Sequence, residues 1–247
     1  MEFFLIFHYL FTKASFYFME CIFDPALTNT TKSLIIQGDE YKHLKALRLD
    51  VDNFVIVING GGLGAKARIV ARDSSKFTLS ILDYIPNMGE SSCEIVLAIG
   101  SLDNKDRIEF AFEKAIELGI TKFIILQTQY SSFLRTNTER LNQKAIATLK
   151  QCKRSKLPEI IVNQSLAETI ESLDGFQIVF AEEFGKKLSD INIKSKVALF
   201  VGPEGGFSND EKDTLIEKKA VSLQLGNRRL RAETAAITAI ALISSNF

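Results

Sequence analysis

From Cys93 to the carboxyl end, short uninterrupted apolar runs alternate with longer stretches of helical period, and few architectures satisfy that alternation. "CEIVLAIG" has the length and continuity of a strand buried on both faces. "KDRIEFAFEKAIELG" instead puts Ile108, Phe112, Ala115 and Ile116 on one helical stripe and stops at Gly119. "KFIILQT" reads as a strand, 140–153 as a helix, "GFQIVFAEE" and "KVALFVG" as strands, 209–219 as a helix, "VSLQLG" as a strand and 233–243 as a closing helix. This succession predicts an α/β domain with a mainly parallel sheet. In such sheets ligands gather at the carboxyl ends of the strands.

Upstream the pattern differs. From Ile22 to about Leu82 the chain reads as short β-strands and turns, and "FVIVINGGGLGAKARIV" is the clearest hairpin. Gly60, Gly61, Gly62 and Gly64 are turn glycines, because the residues after them alternate like a strand and do not open the helix that a phosphate loop needs. The polar stretch "DYIPNMGESS" marks a boundary, giving a small domain over 19–88 and a larger one over 89–247. Ahead of both, the apolar run 3–11 is broken by His8 and is too short to span a bilayer. Glu2 before it and Phe16, Tyr17 and Phe18 after it do not suit a signal peptide. Residues 1–18 are therefore read as an extension ahead of a functional chain that begins at Met19.

Lysine plus arginine number 30, as do aspartate plus glutamate, so no global field draws the protein to nucleic acid or membrane. An anionic partner must be met by local patches. Cys21, Cys93 and Cys152 are odd in number and lack a CxxC spacing, which suits a reducing cytoplasm. With only His8 and His43 besides, no metal site is expected.

The stretch "LFVGPEGGFSNDEK" follows a continuous apolar run ending at Val201. Ser208 and Glu211 form a capping box for the next helix, and Asp210 and Glu211 then occupy the positive end of its dipole. A phosphate there would be repelled, and no Lys-Ser or Lys-Thr follows the glycines as a Walker loop requires. A Rossmann fingerprint belongs at the first βα turn of its domain, whereas this loop comes late. The next segment, "LQLGNRRLRAETAAITAIALI", carries another post-strand glycine, Gly226, and the cluster Arg228, Arg229 and Arg231. Two neighbouring strand ends are therefore expected to carry glycine loops whose amides and carbonyls frame a neutral base, with Glu204 and Arg231 supplying one charge of each sign.

"GPEGGFS" and "LGNRRLRAETAA" resemble the two cofactor-loop motifs of the 16S rRNA (uracil(1498)-N(3))-methyltransferase family, and "EKAIELGITKFIILQT", "KQCKRSKLPEI" and "HLKALRLD" fall in the expected order. The resemblance covers nearly all of the chain from Met19. It implies a PUA-like RNA-binding β-barrel followed by a SPOUT methyltransferase domain, a parallel sheet whose carboxyl-terminal segment is threaded into a trefoil knot. It also implies S-adenosylmethionine as cofactor, a homodimer, a cytoplasmic location and 16S ribosomal RNA of the small subunit as partner. By motif position Val201, Gly202, Glu204, Gly205 and Gly206 fall on the first cofactor loop, Leu225 and Gly226 on the second, and Leu230, Arg231 and Thr234 on the closing turn. Thr128, at the end of "IILQT", is a further candidate.

The sequence departs from the family at Cys21, where an arginine is usual, at Tyr130, where a basic residue is usual, and at Asn227 and Arg229. Cys21 and Tyr130 bear on RNA contacts more than on the cofactor. Uracil N3 is a poor nucleophile until its proton leaves. A guanidinium beside the base would stabilise the charge developing on its carbonyl oxygens, the role expected of Arg231. Glu204 is expected to orient the cofactor, to accept the proton or to bond its own loop. RNA contacts are expected from Lys42, His43, Lys45 and Arg48, and from Lys150, Lys153 and Arg154 on one helical face with Lys156 beyond. The alternatives are an RNA-binding SPOUT protein weakened in catalysis and a SPOUT enzyme acting on a different RNA site.

Overall fold

The computed structural model describes residues 19–132 and 136–247, and the extension expected over 1–18 lies outside them. The chain forms two compact units: the residues up to Glu90 together with Lys150–Lys156, and the pair of segments Ser91–Leu149 and Leu157–Phe247.

The first unit contains β1 (Glu20–Phe23), β2 (Ser33–Ile36), α1 (Gly38–Ala46), β3 (Phe54–Ile58), β4 (Leu63–Arg72) and β5 (Phe77–Pro86). Its sheet runs β1-β3-β4-β5-β2, with β1 parallel to β3 and the other pairs antiparallel. The hairpin expected from the glycine turn is β3–β4, in which Phe54 pairs with Arg68 and Ile58 with Gly64. Register shifts at Lys66/Ala67 and Ile69/Ala71 bend β4 against β5, as bulges do, so that one face wraps a core of Ile22, Val55, Val57, Ile69, Phe77 and Leu79. Helix α1 falls in a stretch that the sequence reads as strands and turns. Only Tyr41 and Leu44 of its nine residues are buried, so it carries no apolar stripe to announce it.

The segment 150–156 is fastened to this unit by buried charge. Arg154 is 3% exposed, and its Nε and Nη2 donate to Glu90 Oε2 at 3.2 and 2.6 Å. Glu90 Oε1 accepts from the backbone N–H groups of Ser155 and Lys156, each at 3.0 Å. Lys150 Nζ donates to both oxygens of Glu40 at 2.7 and 2.8 Å.

In the second unit the order is β6 (Glu94–Gly100), α2 (Lys105–Glu117), β7 (Ile120–Gln127), α3 (Thr138–Cys152), β8 (Glu159–Ser165), α4 (Leu166–Ser172), β9 (Gln177–Lys186), a 3-10 turn, β10 (Lys196–Val201), α5 (Asn209–Glu217), β11 (Val221–Leu223) and α6 (Ala232–Ser244). The sheet runs β11-β9-β10-β6-β7-β8 and every pair is parallel, the α/β arrangement that the alternation predicts. The β8–α4 unit gave no sequence signal, since no residue of β8 is fully buried. Helix α3 stops at Cys152 and Lys153 is left-handed, with φ of 56°. Lys150, Lys153 and Arg154 therefore do not share one helical face. No helix among the described residues is long and apolar enough to cross a membrane.

Removing one partner of a buried ion pair leaves the other charge uncompensated, at a cost of about 3–5 kcal/mol. Glu90→Ala should lower the unfolding free energy of the first unit by that order, read by denaturant titration; a loss typical of a surface pair would show that the bridge does not hold 150–156.

Candidate active site

The second unit's chain leaves β6 towards β7 and β8, then crosses to the other side of β6 for β9, β10 and β11. Loops leaving strands on either side of such a reversal diverge and open a crevice at the carboxyl edge of the sheet. A cavity of about 850 Å³ lies there. Its walls are Val201–Phe207 from the end of β10 onward, Ala181–Glu183 within β9, Leu225, Gly226 and Arg228–Ala232 after β11, and Asp103, Asn104 and Arg107 at the start of α2.

The structure thus brings together Val201, Gly202, Glu204, Gly205, Gly206, Leu225, Gly226, Leu230 and Arg231. The two glycine loops do not leave adjacent strands, however: β9 lies between β10 and β11 and adds Glu182 and Glu183 to the wall. Thr128 and Thr234 do not line the cavity. Thr128 is 6% exposed, with its Oγ1 at 2.8 Å from Ser131 Oγ. Its loop reaches the first glycine loop through Tyr130, whose Cβ lies 2.9 Å from where a side chain on Gly205 would begin.

The first loop is backbone packed on backbone. A Cβ on Gly202 would lie 2.8 Å from the carbonyl carbon of Gly206, and Gly206 itself has φ of 74°. The Gly206 N–H donates to Pro203 O at 2.9 Å, closing the turn. Beyond it Ser208 and Glu211 form the expected capping box. Both Glu211 oxygens are engaged, Oε1 by the Gln129 N–H and Oε2 by the Ser208 N–H, each at 2.8 Å.

Arg107 organises the charges. Its Nε and Nη2 donate to the two oxygens of Glu233 at 3.1 and 2.6 Å. Its Nη1 donates to Glu204 Oε1 at 2.5 Å and to Asp103 Oδ1 at 3.1 Å. Sequence reasoning missed this residue, although a signal existed: an arginine in the first turn of a helix sits at the wrong end of the dipole and needs a specific partner. Lys212 Nζ pairs with Glu182 at 2.7 Å, and Arg229 Nη2 donates to Glu204 O at 3.3 Å. Arg228 and Arg231 line the cavity, and their guanidinium groups make no hydrogen bond or salt bridge with any described residue.

The expected RNA-contacting residues all fall in the first unit. Lys42 pairs with Asp39 at 2.8 Å, His43 Nε2 lies 3.7 Å from Glu20, Lys45 lies over the Tyr41 ring, and Arg48 is exposed just after α1. Lys156 is exposed. Arg154 is not available to a phosphate, because its guanidinium is buried against Glu90. Cys21, at the position where an arginine was expected, is 4% exposed, and burial pushes its thiol up to about 12.

Residues 89–244 match the model of a family described as an RNA methyltransferase domain, and residues 36–82 that of an RNA methyltransferase PUA domain. The chain is 33% identical to the ribosomal RNA small subunit methyltransferase E of Rickettsia conorii over 217 residues, 84% of this chain and 88% of the relative. The chain belongs to the ribosomal RNA small subunit methyltransferase E family. Among solved structures it resembles the family's Neisseria gonorrhoeae enzyme bound to S-adenosyl methionine, with a TM-score of 0.82 at 23% identity over 93% of this chain and 98% of that one. A Legionella pneumophila methyltransferase in complex with the cofactor SAM gives 0.78 at 25% identity over 92% and 98%.

Within this family member, Glu233 is 8% exposed at the start of α6. Burial alone would raise its carboxyl, but the bonds from Arg107 and from its own backbone N–H, with the charges of Arg107 and Arg231, together hold it below the usual carboxylate value. Hydrogen bonding to Glu233 in turn raises Arg107. A carboxyl depressed on folding stabilises the fold fully above its unfolded value of 4.5, and that contribution is lost as pH falls through the lower folded value. Glu233→Gln should therefore melt below the wild type near neutral pH, with the gap closing as pH falls through the acid carboxylate range. A gap independent of pH would remove the charge from the explanation.

Proposed function

We propose that the protein transfers the methyl of S-adenosylmethionine to N3 of a specific uridine in 16S ribosomal RNA, the family's target being uracil 1498. The observation that carries this reading is the convergence of both glycine loops on one cavity, with an Arg231 guanidinium that makes no hydrogen bond or salt bridge to any described residue. A volume of about 850 Å³ lies within the ~300–1,000 Å³ typical of cofactor sites. Close-packed glycine backbone offers amides and carbonyls to a nucleoside. The acidic start of α5 disfavours phosphate, and S-adenosylmethionine is a nucleoside that carries a sulfonium and no phosphate. Glu182, Glu183, Arg228 and Arg229 give the wall charges of both signs for the cofactor's ammonium and carboxylate.

Val201, Gly202, Gly205, Gly206, Leu225 and Gly226 would hold the cofactor, with the main chain of Leu230 and Arg231 closing over it. Thr128 and Thr234 would support the loops from outside the cavity. When bound, S-adenosylmethionine supplies an electrophilic methyl group. The protein's part is to present an unpaired uracil and to favour loss of its N3 proton, since that nitrogen lies on the Watson–Crick edge. The Arg231 side chain would face the uracil and stabilise negative charge on its carbonyl oxygens as the proton leaves. Glu204, already bonded to Arg107, is better suited to orienting its loop than to accepting that proton.

The first unit would grip RNA through Lys42, His43, Lys45, Arg48 and Lys156, with Lys150 and Lys153 at the edge of that patch. The reading also includes the domain division at 88/89, the trefoil knot, the homodimer, the small ribosomal subunit as setting and the cytoplasm as location. The three free cysteines support that location. The binding-protein alternative draws little support from the departures: Cys21 is buried in the first unit, and Tyr130 packs closely on Gly205.

In cells lacking the protein, small-subunit ribosomal RNA should lose N3-methyluridine at the target and regain it when the gene is restored; persistence of the mark without the protein overturns the proposal. Arg231→Ala should lower kcat by roughly 100-fold or more while calorimetry finds cofactor affinity nearly intact. Loss of affinity would instead assign the side chain to the cofactor.

A further inference from the structure

We infer that Arg107 is a positioning residue, a clamp that fixes the first glycine loop against the helix following the second and so pre-forms the cofactor cavity. The inference rests on reading that cavity as the site of S-adenosylmethionine.

One planar guanidinium holds carboxylates from three places in the chain: Asp103 on its own approach, Glu204 on the loop after β10, and Glu233 in the first turn of α6. The grip on Glu233 is a fork, with two nitrogens on two oxygens, which fixes direction as well as distance. Nη1 then points at Glu204, so the spacing between the two cavity walls is set by the width of one rigid group. Glu233 is 8% exposed, and a carboxylate so placed is costly without a counter-charge. The start of α6 therefore cannot move away from Arg107 without exposing or stranding that charge.

The location on the helix argues the same way. A cation in the first turn of α2 works against the helix dipole, so Asp106 suits the helix and Arg107 suits the site. A site whose walls are already fixed loses less freedom when a ligand binds, and that gain appears as affinity. A lysine at this position keeps the charge but has no fork, so it cannot hold two walls in register.

The test is a set of variants, Arg107→Ala, Arg107→Lys, Glu204→Gln and the double change Arg107→Ala with Glu204→Gln, each measured for S-adenosylmethionine affinity, kcat, KM and melting temperature. Arg107→Ala should raise the dissociation constant and KM for S-adenosylmethionine roughly tenfold or more, with a smaller fall in kcat at saturating cofactor. Arg107→Lys should fold and still bind weakly. Adding Glu204→Gln to Arg107→Ala should cost little further affinity, because both changes act on the same ion pair. Unchanged affinity in Arg107→Ala, full rescue by lysine, or additive losses in the double variant would each overturn the clamp. Should the wild-type protein fail to bind S-adenosylmethionine, the cofactor reading falls, and the clamp is then decided by the same cycle in melting temperature: non-additive losses keep it and additive losses end it.

Discussion

Burial of β10 on both faces fixes the geometry of everything that follows it. Val197 to Val201 are 0–2% exposed, flanked in parallel by β6 and β9. Large side chains buried this fully contribute about 1.5–3 kcal/mol each, enough to hold the strand at the middle of the sheet. Its end cannot drift, because Gly100 at the end of β6 leaves room for Pro203: a Cβ there would lie 2.5 Å from the proline Cδ. The glycine loop is thus delivered to the sheet edge by two adjoining strands, one supplying the turn and the other the space for it. From that edge the main chain, with few side chains of its own, forms one wall of the cavity.

Once the loop is placed, charge decides what each arginine near it can do. Arg107 spends four of its five N–H donors on carboxylates and has none left on its forked side. Arg229 is partly engaged through the Glu204 carbonyl. Arg228 and Arg231 lack such partners among the described residues. Arg228, Arg229 and Arg231, close together in the chain, therefore differ in how far the fold engages them.

How much of this was legible in the sequence depended on the range of the interaction concerned. The strands of the second unit were readable because continuous apolar burial is a local signal, as in β6 and β10. So was the start of α5, whose capping box joins residues only three apart. Helix α1 and strand β8 were not, since the first buries two side chains and the second lies at the sheet edge with none fully covered. The cavity's glycines and Arg231 could be found by motif, but Arg107 meets Glu233 across 126 residues and Glu204 across 97, and no spacing rule reaches that far. Arg154 misled for the same reason. In sequence it sits among lysines like a solvated cation, while its partner Glu90 lies 64 residues away.

A chain with 30 cationic and 30 acidic residues meets an anion only where pairing is incomplete. Lys150 with Glu40, Arg154 with Glu90, Lys212 with Glu182 and Arg107 with its three carboxylates are cations already neutralised by the fold. They give rigidity and little external field. Among the described cations outside such pairs are Arg228 and Arg231 on the cavity wall of the second unit and the exposed Lys45, Arg48 and Lys156 of the first. Net neutrality keeps the whole surface from drawing polyanions indiscriminately, so an anion is met only where local cations are left without a carboxylate partner.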